Sequence, residues 1–417
     1  MESIKALRGF RDVFGEEIER FRLIETACRY FLGLLGYREL EIPVLEKAEL
    51  FTRSIGDTTD IVEKEMFTFV DRSGDSVAMR PEGTAGMVRA YLQNSFYARE
   101  RVSRLFSVGP MFRHERPQKG RFRQFTQMDV EVFGVAESIV DAELIWMIHL
   151  ILGRLSMKSY AIEINSVGCT TCREEFRHAL TTFLRDGRER LCEDCTGRLA
   201  RNPLRIFDCK VPRCNEVIQD APVLFDYLCP ACKAHFDQCL DQLAAFGVPY
   251  VLNKRLVRGL DYYTRTVFEV TSGDLGAQKA FVAGGRYDNL VEEMGGPSVP
   301  GIGFAFGMDR LATLIPELPP RKAPLYFLAT IGEEARALLI PILKAFVASD
   351  MRLAYAAAAT SLKSQMKYAN SLGADYVLIV GEEEVNRGVV LVRNMADGSQ
   401  RELPLDAAAL PGLVRES

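Results

Sequence analysis

A loop rich in cations lies between two strand-like runs of the sequence. Residues 113–123, RHERPQKGRFR, begin with Arg113 and separate RLFSVGPMF from FTQMDVEVF. Guanidinium groups bind phosphate oxygens bidentately, so the loop suits a polyphosphate. The charge of the loop alone is equally typical of a solvent-exposed hairpin that binds no ligand. In the strand that follows, Gln127, Asp129 and Glu131 fall on one face, where a half-buried strand normally carries apolar side chains. We therefore predict the polar floor of a pocket beside a phosphate site.

A second cationic position follows a glycine-spaced strand. In GIGFAFGMDRL, Gly303 and Gly307 let another group approach the backbone closely, and Arg310 stands near the start of a predicted helix. The N-terminus of a helix already favours anions, and an arginine there adds a full positive charge. The pattern predicts a further contact to phosphate.

Eight of the ten cysteines lie between residues 169 and 232. They form the close pairs Cys169/Cys172, Cys192/Cys195 and Cys229/Cys232, together with the looser pair Cys209/Cys214. A two-residue spacing lets both thiolates reach one tetrahedral zinc, and four pairs complete two four-thiolate sites. The alternative is a set of reduced, partly buried thiols on helices. We favour structural zinc, because nothing in the pattern implies an open coordination position.

The elements that position these groups belong to an α+β fold. Residues 16–36 place apolar side chains at helical steps, and Gly36 ends the predicted helix. The next strand carries Pro43, which predicts an edge, a bulge or a contact surface because proline cannot donate to an interior ladder. The later runs KRLVRGL, TVFEVTS and AFVAGGRYD are not regularly interleaved with helices, which favours a mostly antiparallel sheet.

The pattern divides the chain into a catalytic domain, an insertion and a C-terminal domain. Residues 1–165 and 241–320 form the two parts of the predicted catalytic domain, and the cysteine-rich residues 166–240 form an inserted domain. After a proline-rich stretch at residues 318–324, the order becomes β-α-β-α-β. Residues 325–417 are therefore predicted to form a separate α/β domain.

Composition excludes several classes of protein. The 417 residues are 48% hydrophobic and 26% charged, as in folded chains of two or three domains. A net charge of -4 leaves any binding of nucleic acid to local patches. The N-terminus lacks the apolar run of a signal peptide, and the longest apolar stretch, residues 144–152, is far shorter than the roughly 20 residues that span a bilayer. We expect a cytoplasmic protein with no membrane partner.

Taken together, the cationic loop, the polar strand and the strand that leads to Arg310 resemble the second and third signature motifs of class II aminoacyl-tRNA synthetases. The first helix and the strand with Pro43 resemble the first motif. RGLDYYTRTVFE at residues 258–269 and AGGRYD at residues 283–288 are similar to the two histidine signatures of histidyl-tRNA synthetases. RPEGT at residues 80–84 is similar to that family's amino-acid-binding stretch.

The resemblance covers nearly the whole chain and implies both a fold and an activity. The implied fold is a class II catalytic domain on a mostly antiparallel sheet, with an inserted cysteine-rich domain and a C-terminal α/β anticodon-binding domain. The implied activity joins L-histidine to ATP, used with Mg²⁺, as histidyl-adenylate and transfers it to the 3′ end of tRNA(His). A homodimer is also implied, with the first helix and the Pro43 strand at its interface.

Specific residues acquire roles through this resemblance. Arg113 and Arg258 are implied to stabilise the α-phosphate while the carboxylate of histidine attacks it, and Arg310 is implied to bind the γ-phosphate. The residues that match the family's contacts to histidine are Glu82, Thr84 and Gln127 around the amino acid, and Glu131, Tyr263 and Tyr287 around the imidazole. A site that hydrogen-bonds a polar side chain rejects apolar analogues by roughly 10⁴–10⁵, so no editing domain is expected.

Two alternatives remain open from the sequence. One is a non-catalytic, synthetase-like regulatory subunit of histidine biosynthesis, which typically lacks the C-terminal domain and the catalytic signature residues. The other is a class II synthetase for threonine, proline or glycine. The presence of Arg113, Arg258 and Arg310 argues against the first alternative, and the two histidine signatures argue against the second.

Overall fold

The structure of the chain is a computed structural model with two compact units, Met1–Leu318 and Pro319–Ser417. The residues that it describes are 4–56, 59–116, 120–186, 188–201, 206–207, 209, 211–276, 279–316, 318, 323–358 and 360–415. Among the helices of these residues, none combines the length and the apolar character that a membrane crossing requires.

The first unit is built on a large mixed sheet. Its strands are β1 (Arg38–Glu39), β2 (Leu45–Lys47), β3 (Phe67–Val70), β4 (Ser76–Met79), β5 (Ser103–Phe112), β6 (Gln124–Phe133), β7 (Ala161–Ser166), β8 (Val251–Leu252), β9 (Thr264–Thr271), β10 (Ala280–Arg286) and β11 (Gly301–Gly307). The eight-stranded sheet has the order β1-β5-β6-β11-β10-β9-β7-β8, and β2-β4-β3 form a second, three-stranded sheet. Only the outer pairs β1–β5 and β7–β8 of the large sheet are parallel. The prediction of a mostly antiparallel sheet is confirmed.

Helices of the first unit cover this sheet and form the insertion. They are α1 (Glu16–Leu34), α2 (Ala48–Ile55), α3 (Thr84–Gln93), α4 (Phe96–Arg99), α5 (Ile139–Arg154), α6 (Thr170–Asp186), α7 (Glu193–Arg201), α8 (Pro212–Ile218), α9 (Pro230–Ala245), α10 (Leu290–Glu293) and α11 (Met308–Leu314). A π-helical turn spans Ile61–Glu65, and short 3-10 turns span Arg188–Arg190, Leu224–Tyr227 and Gly273–Leu275. Helices α1, α5, α9 and α11 share one buried core with the sheet, where Ile24 and Phe304 are among the apolar side chains.

The segment around Pro43 is an irregular connection rather than one strand. Pro43 lies between β1 and β2, in agreement with its lack of a backbone donor. The buried guanidinium of Arg80 holds this segment in place. Its Nη1 donates to the carbonyl of Ile42 at 2.6 Å, and its Nε donates to the carbonyl of Pro110 at 2.8 Å. Arg80 thus joins the Pro43 segment to β5, which leads into the cationic loop.

One predicted strand is wrong. Residues 254–260, KRLVRGL, form turns and extended chain outside the ladders. Their polar groups are satisfied in another way: the carbonyl of Leu256 accepts a hydrogen bond from Asn165 Nδ2 at 2.9 Å, and Arg258 forms an ion pair with Glu269 of β9. Side-chain partners therefore replace a neighbouring strand, and the segment becomes a loop at the sheet.

The insertion has a small hydrophobic cluster of its own. Helices α6, α7 and α8 contribute to it, with Phe176, Leu180 and Val217 among its buried side chains. Helix α9 returns the chain to the main core through Phe236 and Leu243. The boundaries at residues 166 and 240 stay a prediction.

The second unit is an α/β fold. Its elements are β12 (Leu325–Thr330), α12 (Glu333–Ala337), α13 (Leu339–Ala348), β13 (Arg352–Tyr355), α14 (Leu362–Ser371), β14 (Tyr376–Val380), α15 (Glu382–Arg387), β15 (Val389–Asn394), β16 (Gln400–Pro404) and α16 (Leu410–Arg415). The sheet order is β13-β12-β14-β15-β16, with β13, β12 and β14 parallel and the last two strands antiparallel. The predicted alternation of strands and helices is confirmed, and β16 extends it by a hairpin.

Candidate active site

One pocket of the first unit brings together most of the side chains selected from the sequence. Those on its lining are Glu82, Thr84, Arg113, Gln127, Arg258, Tyr263, Tyr287 and Arg310. The cavity measures about 210 Å³, more than the engineered cavities of about 150 Å³ that hold a benzene ring. An imidazole ring therefore fits within it. Glu131 lies in the wall behind Gly303, where a Cβ would overlap the Glu131 carboxylate.

Glu131 is a buried carboxyl group held by two hydroxyl groups. It is 1% exposed on β6. Thr84 Oγ1 donates to its Oε1 at 2.7 Å, and the hydroxyl of Tyr287 donates to its Oε2. Burial raises the pKa of Glu131 well above its usual range, although both hydrogen bonds lower it. An acceptor fixed in this way is suited to a ring N–H of a ligand.

Gln127 and Asp129 lie on the same strand as Glu131, as the alternation predicts. Gln127 Nε2 donates to Asp129 Oδ1 at 2.6 Å. Asp129 Oδ2 is buried and has no hydrogen-bond partner among the described residues. A buried carboxylate oxygen without a donor is costly, which favours the protonated form of Asp129.

Glu82 combines two functions at the start of α3. Its carboxylate accepts hydrogen bonds from the backbone N–H groups of Thr84 and Ala85, both at 2.9 Å. These are N–H groups of the first helical turn, which otherwise lack partners. Burial raises the pKa of Glu82, and the two backbone donors oppose that rise. Glu82 therefore fixes α3 while its side chain lines the pocket.

Three tyrosines form an aromatic wall. The ring centroids of Tyr262 and Tyr263 are 4.7 Å apart, and the ring of Tyr287 meets that of Tyr262 edge to face at 5.6 Å. All three are buried, and burial raises the pKa of each hydroxyl. Neutral hydroxyl groups can donate to a carboxylate and accept from a ligand at the same time.

Cations reach the pocket from three different elements. Arg113 follows β5, and its Nε donates to the carbonyl of Pro81 at 2.8 Å while its guanidinium stacks 5.4 Å from the ring centroid of Phe125. Arg258 comes from the loop before β9 and pairs with Glu269. Arg310 comes from α11. Arg121 also lines the pocket, and four guanidinium groups on one lining suit a polyphosphate.

Arg258 is held on two sides. Its guanidinium lies 5.6 Å from the ring centroid of Tyr263, opposite the ion pair with Glu269. Although burial lowers the pKa of Arg258, the charge of Glu269 raises it, and the net shift is upward. Its Nε is buried without a hydrogen-bond partner among the described residues. A rigid cation with an unused donor is suited to a developing negative charge.

We expect the pH dependence of stability to report on Asp129. Burial raises its pKa to about 7, and Glu82 adds to the rise, while Gln127, Arg80 and Arg113 lower it. The unfolded chain releases the same proton near pH 3.9, so from about pH 4 to about pH 7 the folded state binds more protons, and the free energy of unfolding falls as pH rises.

In the Asp129→Asn variant, the free energy of unfolding should no longer fall as pH rises through this range. Calorimetry from about pH 5 to about pH 8 would show that the midpoint of thermal unfolding depends less on pH in the variant than in the wild type. Near neutral pH the midpoint of the variant would be the higher of the two. Replacing the exposed Asp397 of the second unit with asparagine is the control, and it should leave the profile of the first unit unchanged. Identical profiles for wild type and Asp129→Asn would contradict the assignment.

The eight inserted cysteines form two groups of four. Cys169, Cys172, Cys229 and Cys232 make the outer group, and Cys192, Cys195, Cys209 and Cys214, which are nested within it in the sequence, make the inner group. In each group the four sulfur atoms lie within 4.8 Å of one another. In a tetrahedron with Zn–S bonds of about 2.3 Å the sulfurs are about 3.8 Å apart. The separations of 4.0 Å for Cys169–Cys229 and 3.9 Å for Cys192–Cys209 fit that geometry.

Backbone donors prepare these groups for thiolates. The N–H of Cys229 donates to Cys172 Sγ, and that of Cys192 donates to Cys214 Sγ, both at 3.1 Å. Although burial raises the pKa of Cys169, hydrogen bonds from its neighbours bring it down to about 6, and similar hydrogen bonds lower the pKa of Cys192. Burial raises the pKa of the remaining shifted thiols, Cys172, Cys195, Cys214 and Cys232. All eight cysteines are free thiols, outside any disulfide bond. The donor set and its spacing therefore fit zinc in both groups.

Some side chains of the pocket were not selected from the sequence as site residues. Tyr262, Phe125 and Asp309 line the pocket. Asp129, to which the sequence assigns no role, lies beside Gln127 on the polar face of β6. Asp309 accepts from Arg11 Nη2 at 2.7 Å and from the backbone N–H of Thr126 at 2.8 Å. The signal for Tyr262 was its position beside Tyr263, whereas nothing local in the sequence points to Arg11.

Comparison with known proteins gives two family matches. A family model described as histidyl-tRNA synthetase matches residues 9–311, and one described as an anticodon binding domain matches residues 327–410. A histidine–tRNA ligase of Desulfatibacillum aliphaticivorans is 47% identical over 405 residues, which cover 97% of this chain and 97% of that protein. A histidine–tRNA ligase of Desulfosudis oleivorans is 48% identical over 405 residues, and each chain is covered to 96%.

Among solved structures, that of the apo histidyl-tRNA synthetase of S. aureus is similar over nearly the whole chain. It aligns with a TM-score of 0.81 and 31% identity, and it covers 99% of each chain. The similarity includes both compact units, so the fold expected from the signature motifs is confirmed.

Proposed function

The chain belongs to the histidyl-tRNA synthetase family, and we propose that its pocket activates L-histidine with ATP before the histidyl group passes to the 3′ end of tRNA(His). The observation that carries this proposal is that four guanidinium groups and a buried polar floor meet at one pocket. A regulatory subunit without catalysis has no need for the cations Arg113, Arg258 and Arg310 on that lining.

In the first step, a carboxylate oxygen of histidine attacks the α-phosphorus of ATP, which enters as its magnesium complex. A bond forms between that oxygen and phosphorus, and the bond from phosphorus to the β-phosphate oxygen breaks, so that pyrophosphate leaves. Arg113 and Arg258 neutralise the charge that grows on the α-phosphate oxygens. Arg310, on the α11 side of the pocket, binds the γ-phosphate end. Phe125 offers a face on which the adenine base stacks.

The polar floor selects histidine. Glu131, held by Thr84 and Tyr287, accepts a hydrogen bond from the imidazole ring, and Tyr263 flanks it. Glu82 and Gln127, which line the pocket, bind the α-ammonium group. An apolar side chain of similar size would leave these buried groups without partners, which is the basis for rejecting it.

The second unit supplies contact to tRNA. The part that matches an anticodon binding domain, residues 327–410, lies within the compact unit that begins at Pro319. We propose that it binds the anticodon, while the 3′-hydroxyl of the terminal adenosine attacks the carbonyl carbon of histidyl-adenylate in the first unit and AMP leaves. These substrates are those of a cytoplasmic enzyme, and that location stays a prediction.

A homodimer is the proposed assembly. The exposed apolar side chains Tyr30 and Leu34 on α1, and Leu45 just after Pro43, mark the surface that a second copy would cover. The same elements carry the resemblance to the first class II motif.

We also propose that the outer and inner cysteine groups each bind one structural zinc. All four positions of each tetrahedron are filled by sulfur, so bound zinc would stabilise the fold of the insertion and supply no reactive water.

Amino-acid-dependent exchange between ATP and labelled pyrophosphate tests the proposed function. We expect histidine to support exchange and threonine, proline and glycine not to support it. A regulatory subunit would give no exchange with any amino acid, and a different class II synthetase would respond to its own substrate. Either result would contradict the proposal. Aminoacylation of tRNA with labelled histidine then tests the second step.

A further inference from the structure

The chain that enters the outer cysteine group is hydrogen-bonded to the start of β9, directly after Tyr263. Val167 and Gly168, which precede Cys169, make two backbone hydrogen bonds with Arg265. The N–H of Val167 donates to the carbonyl of Arg265 at 2.7 Å, and the N–H of Arg265 donates to the carbonyl of Gly168 at 2.9 Å. Arg265 is two residues from Tyr263, so the chain that enters the outer group and the chain that leaves Tyr263 are joined directly.

Arg173 adds a third connection. It follows Cys172 on α6, and its Nη2 donates to the backbone carbonyl of Tyr263. Its Nε donates to the carbonyl of Val167 at 3.2 Å. The same guanidinium interacts electrostatically with the sulfur atoms of Cys169 and Cys172. One cation therefore connects the thiolates to the main chain of a residue on the pocket lining.

The backbone at this junction is held in unusual conformations. Arg265 has a φ of 49°, which is rare for a residue with a side chain and persists where the surrounding structure imposes it. Gly168 has a φ of 57°, and a Cβ at this position would overlap the side chain of Cys172. The position of Cys172 and the conformation of Arg265 are thus linked through Gly168. If the outer group opened, the restraint on Arg265 and on the neighbouring Tyr263 would relax.

The inner group has different surroundings. Cys195 and Cys214 are buried in the hydrophobic cluster of the insertion itself. One contact of helix α7, which carries Cys195, with the rest of the first unit is the ion pair between Arg198 and Asp60 at 3.6 Å, and the Asp60 side chain is 52% exposed. An exposed pair of this kind contributes little to position.

We propose that the outer cysteine group, acting through Arg173, positions Tyr263, so that zinc in this group sets the affinity for histidine, whereas zinc in the inner group stabilises only the insertion. Arg173 is a positioning residue in this scheme, because it contacts the main chain of Tyr263 and does not line the pocket. The proposal rests on the proposed histidine activation and on zinc as the metal of both groups.

Two matched cysteine variants test the proposal in the full-length chain. Cys229→Ser opens the outer group and Cys209→Ser opens the inner group; both residues are partly exposed and are third in their group along the sequence. Zinc per chain is measured by elemental analysis, and histidine affinity by equilibrium dialysis of labelled histidine without ATP. Each variant should lose one of two zinc ions. Histidine Kd should rise about tenfold in Cys229→Ser and stay unchanged in Cys209→Ser, with the KM for ATP unchanged in both.

A second pair of variants separates the connection from the metal. Arg173→Met should retain both zinc ions and still raise the Kd for histidine about tenfold, and Arg173→Lys, which keeps a donor and a charge, should recover part of the loss. If Cys229→Ser does not fold, this pair decides the question, because it leaves the sulfur ligands in place.

Three results would overturn the proposal: a Cys229→Ser variant that loses zinc but binds histidine normally, an equal loss of histidine affinity in Cys209→Ser, or a wild-type chain purified without chelator that holds no zinc. Failure of the proposed function has a different signature. A wild-type chain that binds two zinc ions but shows no histidine-dependent exchange would refute histidine activation and leave the metal assignment intact.

Discussion

Replacing Arg258 with alanine is expected to lower the rate of histidine-dependent ATP–pyrophosphate exchange by about 10²–10³. Loss of one fixed electrostatic contact to a developing charge typically has this effect. Arg258 is placed for that contact by Glu269 on one side and the ring of Tyr263 on the other, and its Nε has no hydrogen-bond partner among the described residues. Because the contact strengthens in the transition state, kcat should fall more than KM for ATP rises.

Two further variants distinguish loss of the Arg258 contact from loss of folded structure. Arg258→Ala leaves Glu269 without its partner, so the double variant Arg258→Ala/Glu269→Gln should restore thermal stability without restoring exchange. Arg255→Ala removes a nearby exposed arginine that contacts the carbonyl of Gln219, and it should exchange at the normal rate. Normal exchange by folded Arg258→Ala would refute the assigned role.

Replacing Glu131 with glutamine is expected to lower kcat/KM for histidine by about 10- to 100-fold. Leaving a buried donor without its acceptor costs about 1–3 kcal/mol, and about 1.4 kcal/mol corresponds to a tenfold change. Glutamine has nearly the same shape, but its amide group would face the hydroxyl donors of Thr84 or Tyr287. The imidazole ring would then lose an acceptor that two hydroxyl groups hold in place.

The effect should be confined to histidine. KM for ATP should change by less than about twofold, since the hydrogen bonds of Glu131 are to Thr84 and Tyr287 and not to the arginines of the pocket, and only the uniform binding of histidine is altered. Glu163→Gln is a matched control, because this β7 carboxylate also accepts two side-chain hydrogen bonds, from Asn253 and Thr271, and does not line the pocket. A parallel loss in both variants would indicate a general effect on the sheet.

Alternation along a single strand was enough to predict the polar floor. Gln127, Asp129 and Glu131 lie on β6 as the two-residue period requires, and β6 pairs with β11, where Gly303 stands opposite Glu131. The spacing of these residues is local, and the sequence shows it directly. The roles assigned to the side chains came instead from the resemblance to a family, and they stay predictions until the variants are measured.

The sequence did not predict which distant residues contact each other in the fold. The structure joins the first and last CxxC pairs in the outer group and encloses the other two pairs, whereas spacing alone allows any combination of the four. Arg11 and Asp309 are 298 residues apart, and Arg80 contacts carbonyl groups of two separate segments. Such partners depend on how the sheet brings distant segments together, which no local pattern records.

The same requirement explains the wrong strand at residues 254–260. β-branched and apolar residues there suit a strand, but a strand needs a neighbour with free backbone groups. In the structure β7 already has β8 and β9 as its neighbours. Instead, the carbonyl group of Leu256 and the guanidinium group of Arg258 interact with the side chains of other residues.

The outer cysteine group also bears on the entropy of the chain. Strand β7 ends at Ser166 and β8, its parallel neighbour, begins at Val251, so a long excursion separates two strands that lie side by side. Because the sulfur atoms of Cys169 and Cys229 lie 4.0 Å apart, the excursion folds back onto its own start before α9 leads to β8. A metal ion bound there would shorten the free connection roughly 3.4-fold, which lowers the entropic cost of pairing the strands by about 1 kcal/mol. Insertions and deletions between the two ends of this closed loop would therefore leave the pairing of β7 and β8 almost unaffected.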